Sequence, residues 1–369
     1  MNLDFSAEQE TFRTQLQRLL DERGARQVAR RLASATAGFD GSLWSALADL
    51  GALGAHLPEA YGGFGGQRLD LCVVAEELGR TLAAVPALAT LYLYSELLFD
   101  TGDEQLLRRV LPELVAGRMT GTVAFTEVAG SAVPLHPTAV LRDGRLWGAK
   151  TAVADGADVD AAIVLAADGT GSSLCWVDMH DTAVHRSRLP SLDLVARPAR
   201  LDFQGARAVR LGPAGGGHAL LQRALDRAAV YVAFEQIGGA AAMLEKARDH
   251  ALQRFAFGRP IGALQAIKHR LADLFVATEL ARSNCYYGAW AVTSGSDELP
   301  LAAAAARVSA GSAFETCAAE CIQIHGALGF TWESDCHLYY RRAKGLAVAL
   351  GSEFMWKERL MSHLDRQAA

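Results

Sequence analysis

The sequence predicts an α+β protein: an N-terminal helical domain over 1–119, a small middle β domain of barrel or sheet type over 120–213, and a C-terminal four-helix bundle over 214–369. Three observations carry this. Apolar residues first recur at helical spacing, as in Phe12, Leu16, Leu19 and Leu20 and again in Leu71, Val74 and Leu78. The pattern then shortens into strand–turn–strand units. Thr138 to Leu141 and Leu146 flank Asp143-Gly144, and Ala161 to Ala166 and Leu174 to Val177 flank a Gly- and Ser-rich turn. From Gly215 the helical period returns and stays, in three long segments near 216–254, 264–294 and 298–324, with Gly326 and Gly329 as stops.

Each element has a local reason. The string Pro58 to Gly66 is glycine punctuation between two helical stretches. Apolar residues occupy more than one stripe in Ala302 to Ala306 and Ala318 to Ile324, so these helices should be buried in a bundle or an interface, and the chain should not be a monomer. The segment Ala228 to Leu244 is apolar but broken by Glu235, Gln236 and two glycines, so it reads as a buried helix and not a membrane span.

Composition excludes several classes. The chain has 369 residues, 51% of them hydrophobic, with 36 Lys and Arg against 41 Asp and Glu. A net charge of −5 offers nothing to nucleic acid. The polar start Met1 to Leu16 lacks the basic and apolar regions of a signal peptide, so a cytoplasmic location with reduced thiols is expected. The six cysteines (72, 175, 285, 317, 321 and 336) form no CxxC pair. Cys317 and Cys321, one turn apart in an Ala-rich segment, read as small core residues. No histidine was paired with a second ligand at metal spacing, so no metal is expected. The glycines of 62–66 sit in no βαβ unit, and no hydrolase or nucleotide-binding string occurs.

Four strings, in order, carry a resemblance. They are Leu53 to Gly65, Thr126-Glu127-Val128-Ala-Gly-Ser131, Arg254-Phe-Ala-Phe257-Gly-Arg-Pro-Ile-Gly-Ala-Leu-Gln265, and Gln323-Ile-His-Gly326-Ala-Leu-Gly-Phe-Thr-Trp-Glu333. Together they resemble the acyl-CoA dehydrogenase family across nearly the whole chain. The resemblance implies FAD, an acyl-CoA substrate, a tetramer built as a dimer of dimers, and electron-transfer flavoprotein or another electron acceptor. It also implies that Arg254, Phe257, Gln265, Gln323 and Gly326 hold the adenosine-pyrophosphate half of an FAD shared with a neighbouring subunit. The chemistry agrees. A dianionic pyrophosphate wants a forked cation such as Arg254, and close backbone approach favours Gly326.

The sequence departs from the family where the reaction takes place. The family's base is a glutamate that removes the α-proton of the thioester while a hydride leaves to the flavin. Its commonest position, in a Glu-Gly-Thr string, reads Leu350-Gly351-Ser352 here, and the other known position falls on Ala228. Neither side chain accepts a proton. The family's Lys-x-Trp-Ile-Thr-Asn string, whose Trp and Thr contact the flavin ring, reads Lys150-Thr-Ala152-Val-Ala154-Asp155. The Thr-Glu signature is one residue short at Val128. Glu235, two turns beyond Ala228, is the remaining candidate base, but ~10 Å of axial rise argues for a structural ion pair instead.

The chain therefore resembles the subunit without catalytic glutamate in actinobacterial heterotetrameric, sterol side-chain type acyl-CoA dehydrogenases, whose α2β2 partner supplies the glutamate and the flavin-ring pocket. A self-sufficient homotetramer using Glu235, and a flavin-free binding or scaffold protein, are the alternatives.

Overall fold

The computed structural model describes residues 5–33, 38–128, 130 and 133–368. Ala129 and Ser131 of the Thr-Glu string lie outside the described residues.

The N-terminal region holds α1 (Ala7–Glu22), α2 (Ala25–Ala33), α3 (Gly41–Asp49), α4 (Arg68–Thr81), α5 (Glu96–Thr101) and α6 (Glu104–Val115). The Ser6 side chain accepts from the Gln9 N–H while the Gln9 side chain returns to the Ser6 N–H, which fixes the start of α1. Leu16 and Leu20 are its buried stripe. Helix α4 is buried on nearly every side, because it lies between α1 and the long helix that follows the strands.

Seven strands follow: β1 (Gly121–Ala124), β2 (Val140–Arg142), β3 (Arg145–Val153), β4 (Ala161–Ala167), β5 (Ser172–Asp178), β6 (Val184–Arg188) and β7 (Ala199–Leu211). The chain of pairings β4–β2–β3–β7–β5–β4 closes on itself, with β1 added to β4 and β6 to β7. Asp143 and Gly144 both take positive φ (53° and 69°), the geometry of a two-residue hairpin whose twist matches its strands. Strand β4 reads as an unbroken apolar run because it has two interiors to serve. Ala162, Val164 and Ala166 fill the β core, and Ala161, Ile163 and Leu165 pack into the main helical core.

The C-terminal helices are α7 (Gly217–Gln253), α8 (Gln265–Ser294), α9 (Leu299–His325), α10 (Cys336–Val348) and α11 (Glu353–Ala368). A two-residue hairpin, β8 (Phe255–Ala256) and β9 (Arg259–Pro260), joins α7 to α8. Helix α7 crosses α4 at a reciprocal glycine contact. A Cβ on Gly238 would stand 1.9 Å from the Glu76 carbonyl, and one on Gly79 would stand 1.9 Å from that of Glu235. Only glycine permits backbones that close. Ala302, Ala303, Ala304, Ala306, Ala318 and Cys321 are fully buried within this chain's own bundle. The apolar stripes of α9 thus serve the bundle and not an interface. The apolar surface left exposed lies elsewhere, at Phe275, Val276 and Leu280 of α8 and at Phe255, Phe257, Phe330 and Trp332. Among the described residues, no helix is long and apolar enough to cross a membrane.

Candidate active site and cofactor-binding surface

Two regions correspond to the two halves of the predicted site. The first is a cavity of about 610 Å³ between the β domain and the C-terminal helices, a volume typical of a small-molecule site. Phe125, Thr126, Ala152, Ala154 and Asp155 form its β side, and His218, Gln222, Leu225, Leu350 and Met355 line the helical side.

Leu350 is 2% exposed and lines the cavity, so the position that the resemblance matches to the family's base puts a hydrocarbon on the cavity wall. Ala228 is buried inside α7. Glu235 does not line the cavity. It is buried, and its Oε1 accepts two hydrogen bonds from Arg342, the shorter 2.5 Å, while Arg342 also donates to Asp193 at 2.9 Å. A carboxylate locked to a guanidinium is a structural element, not a free base, and the expectation of Glu235 as a candidate base is corrected accordingly.

The carboxylate that sequence reasoning missed is Asp155. It lines the cavity, and burial, opposed by the Arg342 charge, pushes its carboxyl up to about 7. Its φ is +50°, and Ala152 before it has φ +51°. The only sequence signal was Asp in place of the family's Asn. The rest of that string is structural. Lys150, wholly buried, donates to Glu127 at 2.7 Å, and Glu127 also accepts from the amides of Thr138 and Ala139. Against the burial that would raise it, these donors hold the Glu127 carboxyl down to about 2. The Ala154 carbonyl accepts from Thr122 at 2.7 Å, so this residue is used through its backbone alone. Ala152 and Ala154 put methyl groups on the cavity wall where the resemblance expects an aromatic ring and a hydroxyl.

The second region is the opposite kind of place. His250 in the last turn of α7 stacks on His325 in the last turn of α9, with ring centroids 4.1 Å apart. Arg254, four residues after His250, and Gln323, two before His325, therefore belong to one end of the bundle. The ion pair of Arg270 and Glu320 at 2.9 Å brings the first turns of α8, beginning at Gln265, to the same end. Arg254 ends α7 with extended backbone, and its carbonyl accepts from Ile261 across the hairpin. Phe257 and Gly258 form the hairpin tip with φ of 51° and 73°, and Phe257 is 90% exposed. Arg254, Gln265, Gln323 and Gly326 are exposed too. Gly326 has φ 63° with open space around it, so backbone there is free to meet a ligand. These five residues present a cation, two amides, an aromatic face and an unshielded backbone, the donor set a nucleotide pyrophosphate needs.

Comparison with known proteins follows the same outline. Residues 6–118 match the acyl-CoA dehydrogenase N-terminal domain and residues 215–364 match its C-terminal domain. Acyl-CoA dehydrogenase IpdE2 of Mycolicibacterium smegmatis is 33% identical, with 94% of this chain and 95% of that protein covered. Among solved structures, the ChsE4-ChsE5 complex from Mycobacterium tuberculosis superposes with a TM-score of 0.90 at 27% identity, with 99% of each chain covered. A variant of the Tcur3481-Tcur3483 steroid ACAD gives 0.89 at 28%, with 98% of each chain covered. By its two domain matches and its full-length relatives, the chain belongs to the acyl-CoA dehydrogenase family, whose members are FAD-dependent.

Proposed function

We propose that this chain is the subunit of a heteromeric acyl-CoA dehydrogenase that lacks the catalytic glutamate and supplies the adenosine-side contacts to an FAD completed by a homologous partner. The observation that carries this is Leu350 on the cavity wall, in the place of the base, while all five adenosine-side residues stand exposed. A half-site built to face another subunit has this form when one chain is viewed alone.

Bound FAD supplies the hydride acceptor for α,β-dehydrogenation of an acyl-CoA thioester. This chain's residues bind and orient. Arg254 offsets the pyrophosphate charge, Gln323 and Gly326 offer an amide and open backbone, Phe257 covers an aromatic face, and Gln265 adds a second amide. Proton abstraction falls to the partner. The solved complexes of ChsE4 with ChsE5 and of Tcur3481 with Tcur3483 support a two-gene assembly, and the latter's steroid description favours a bulky polycyclic acyl group.

A second reading, a self-sufficient dehydrogenase with a relocated base, draws on one observation. Asp155 is a cavity carboxylate raised to about 7, the range in which a base works at neutral pH. Acceptor reduction by the isolated chain across a panel of saturated acyl-CoAs separates the two. The heteromeric reading expects none. Turnover that vanishes in Asp155→Asn installs the second reading.

A further inference from the structure

Cys321, His325 and Cys336 converge from the end of one helix and the start of the next. Cys321 and His325 share one face of the last turn of α9, and Cys336 opens α10. The Sγ atoms of the two cysteines are 3.5 Å apart, and the Cys321 Sγ is 3.7 Å from the His325 Nδ1. All three potential ligand atoms lie within 4.8 Å of one another. Both cysteines are fully buried, and the imidazole is partly exposed.

We propose that these three residues bind a soft divalent cation of the zinc class, with the fourth position open to solvent on the imidazole side. The spacing is the argument. Metal–sulfur distances of about 2.3 Å and metal–nitrogen distances of about 2.0–2.1 Å at tetrahedral angles give edges of roughly 3.8 Å between sulfurs and 3.6 Å between sulfur and nitrogen. The two edges from the Cys321 sulfur, 3.5 Å and 3.7 Å, match these to within a few tenths of an ångström, and the third lies within 4.8 Å. Two thiolates neutralise a divalent cation, which suits a buried pocket. Each thiol that is still protonated releases its proton to solvent on binding. The Ser334 hydroxyl donates to the Cys336 sulfur at 3.0 Å, the outer contact that steadies a coordinating thiolate.

His325 Nδ1 now donates to the Cys321 carbonyl at 2.8 Å. Coordination exchanges that proton for the metal and leaves the proton of the ring on Nε2. The carbonyl loses little, since it lies four residues before His325 on the helical ladder. The remaining buried cysteine of this helix, Cys317, faces Thr278 instead. A metal here ties the end of α9 to the start of α10 and closes the segment 326–335 between them, which carries Gly326, Phe330 and Trp332. That consequence for FAD rests on the proposed adenosine-side role, but the metal binding does not.

The test uses the full chain, stripped of metal with chelator under reducing conditions and titrated with cobalt(II), then with zinc(II) as competitor. One cobalt per chain is expected, with thiolate-to-cobalt charge-transfer and tetrahedral d–d bands that zinc abolishes. Cys321→Ser and Cys336→Ser should lose the charge-transfer intensity, and Cys317→Ser should keep it. Should a buried serine unfold the chain, His325→Ala removes the partly exposed ligand and should weaken zinc at least about tenfold. Cobalt bound without thiolate bands, or with affinity unchanged in His325→Ala, overturns the site. So does a reduced chain that takes up no metal. Each readout is independent of flavin, so failure of the metal site and failure of the FAD assignment are distinguishable.

Discussion

The cavity beside Leu350 and the bundle end around Arg254 are opposite in kind: one is enclosed and lined by hydrocarbon, the other open and polar. The cavity is enclosed but poor in reagents: hydrocarbon at 350, methyl groups at 152 and 154, and, beside Asp155, one further carboxylate, Asp193, held by Arg342. The bundle end keeps its reagents and has no enclosure, with Phe257 almost fully solvated and Gly326 facing open space. On the heteromeric function proposed above, the bundle end does its work across a subunit boundary, and the chemical step is done in the partner. The contrast separates a binding half-site from a reaction site.

The largest effect expected concerns catalysis. Restoring the glutamate by Leu350→Glu should leave the isolated chain inactive, because the ring wall and hydroxyl remain absent at Ala152 and Ala154. A positioned acid–base group is commonly worth ~10²–10⁴ in rate, so any real rescue is easily seen by acceptor reduction. A rescue of that size would erase the contrast, since the cavity would then need only one residue to react.

Next in size is the buried pairing that removes Glu235 from the chemistry. Arg342→Met leaves Glu235 and Asp193 buried without their cation, and denaturant unfolding should show a loss of about 3–5 kcal/mol. Glu235 acting as a free base predicts instead near-normal stability. Smaller again is Arg254→Ala, which removes a charge-assisted contact at the bundle end. FAD affinity of the assembled complex should fall by about 1.5–3 kcal/mol, roughly 10- to 150-fold, with the melting profile of the flavin-free chain unchanged. Unaltered affinity takes Arg254 out of the site.

The last effect, a dependence on pH, belongs to Asp155. Its folded carboxyl titrates near 7, above the value of about 3.9 in an unfolded chain. Between those values the folded state holds a proton that the unfolded chain has released, so stability contributed by this group falls as pH rises from about 4 to about 7 and is level above that. Asp155→Asn removes the loss. The difference between the two values corresponds to ~4 kcal/mol, so the variant should melt roughly 5 °C above the wild type at pH 8 and alongside it near pH 4. Equal melting temperatures at both pH values mean that Asp155 is solvated and no candidate base.

What was legible in the sequence was local. Asp143-Gly144 specifies its hairpin by the positive φ both residues adopt, and the bounds of α7, α8 and α9 follow from periodicity and their flanking glycines. The motifs around Arg254 and Gln323 were legible as strings, and the stacking of His250 on His325 places them at one end. What was not legible was pairing at a distance. The partner of Glu235 lies 107 residues away, and nothing near it in sequence announces Arg342. Cys321 and Cys336 meet only because the intervening segment turns back, and the one-turn spacing of Cys321 and His325 passed unnoticed beside that of Cys317 and Cys321. The alanine-rich stripes of α9 were read correctly as buried, but sequence cannot say whether the burying surface belongs to the same chain.

The most direct measurement of the central claim is flavin content. The chain should be purified once alone and once coexpressed with a homologous, glutamate-bearing subunit encoded beside it, and bound FAD quantified after denaturation. The account predicts flavin-free protein alone and one FAD per pair of unlike subunits in the complex. Stoichiometric FAD on the chain alone, with turnover of an acyl-CoA, would contradict it.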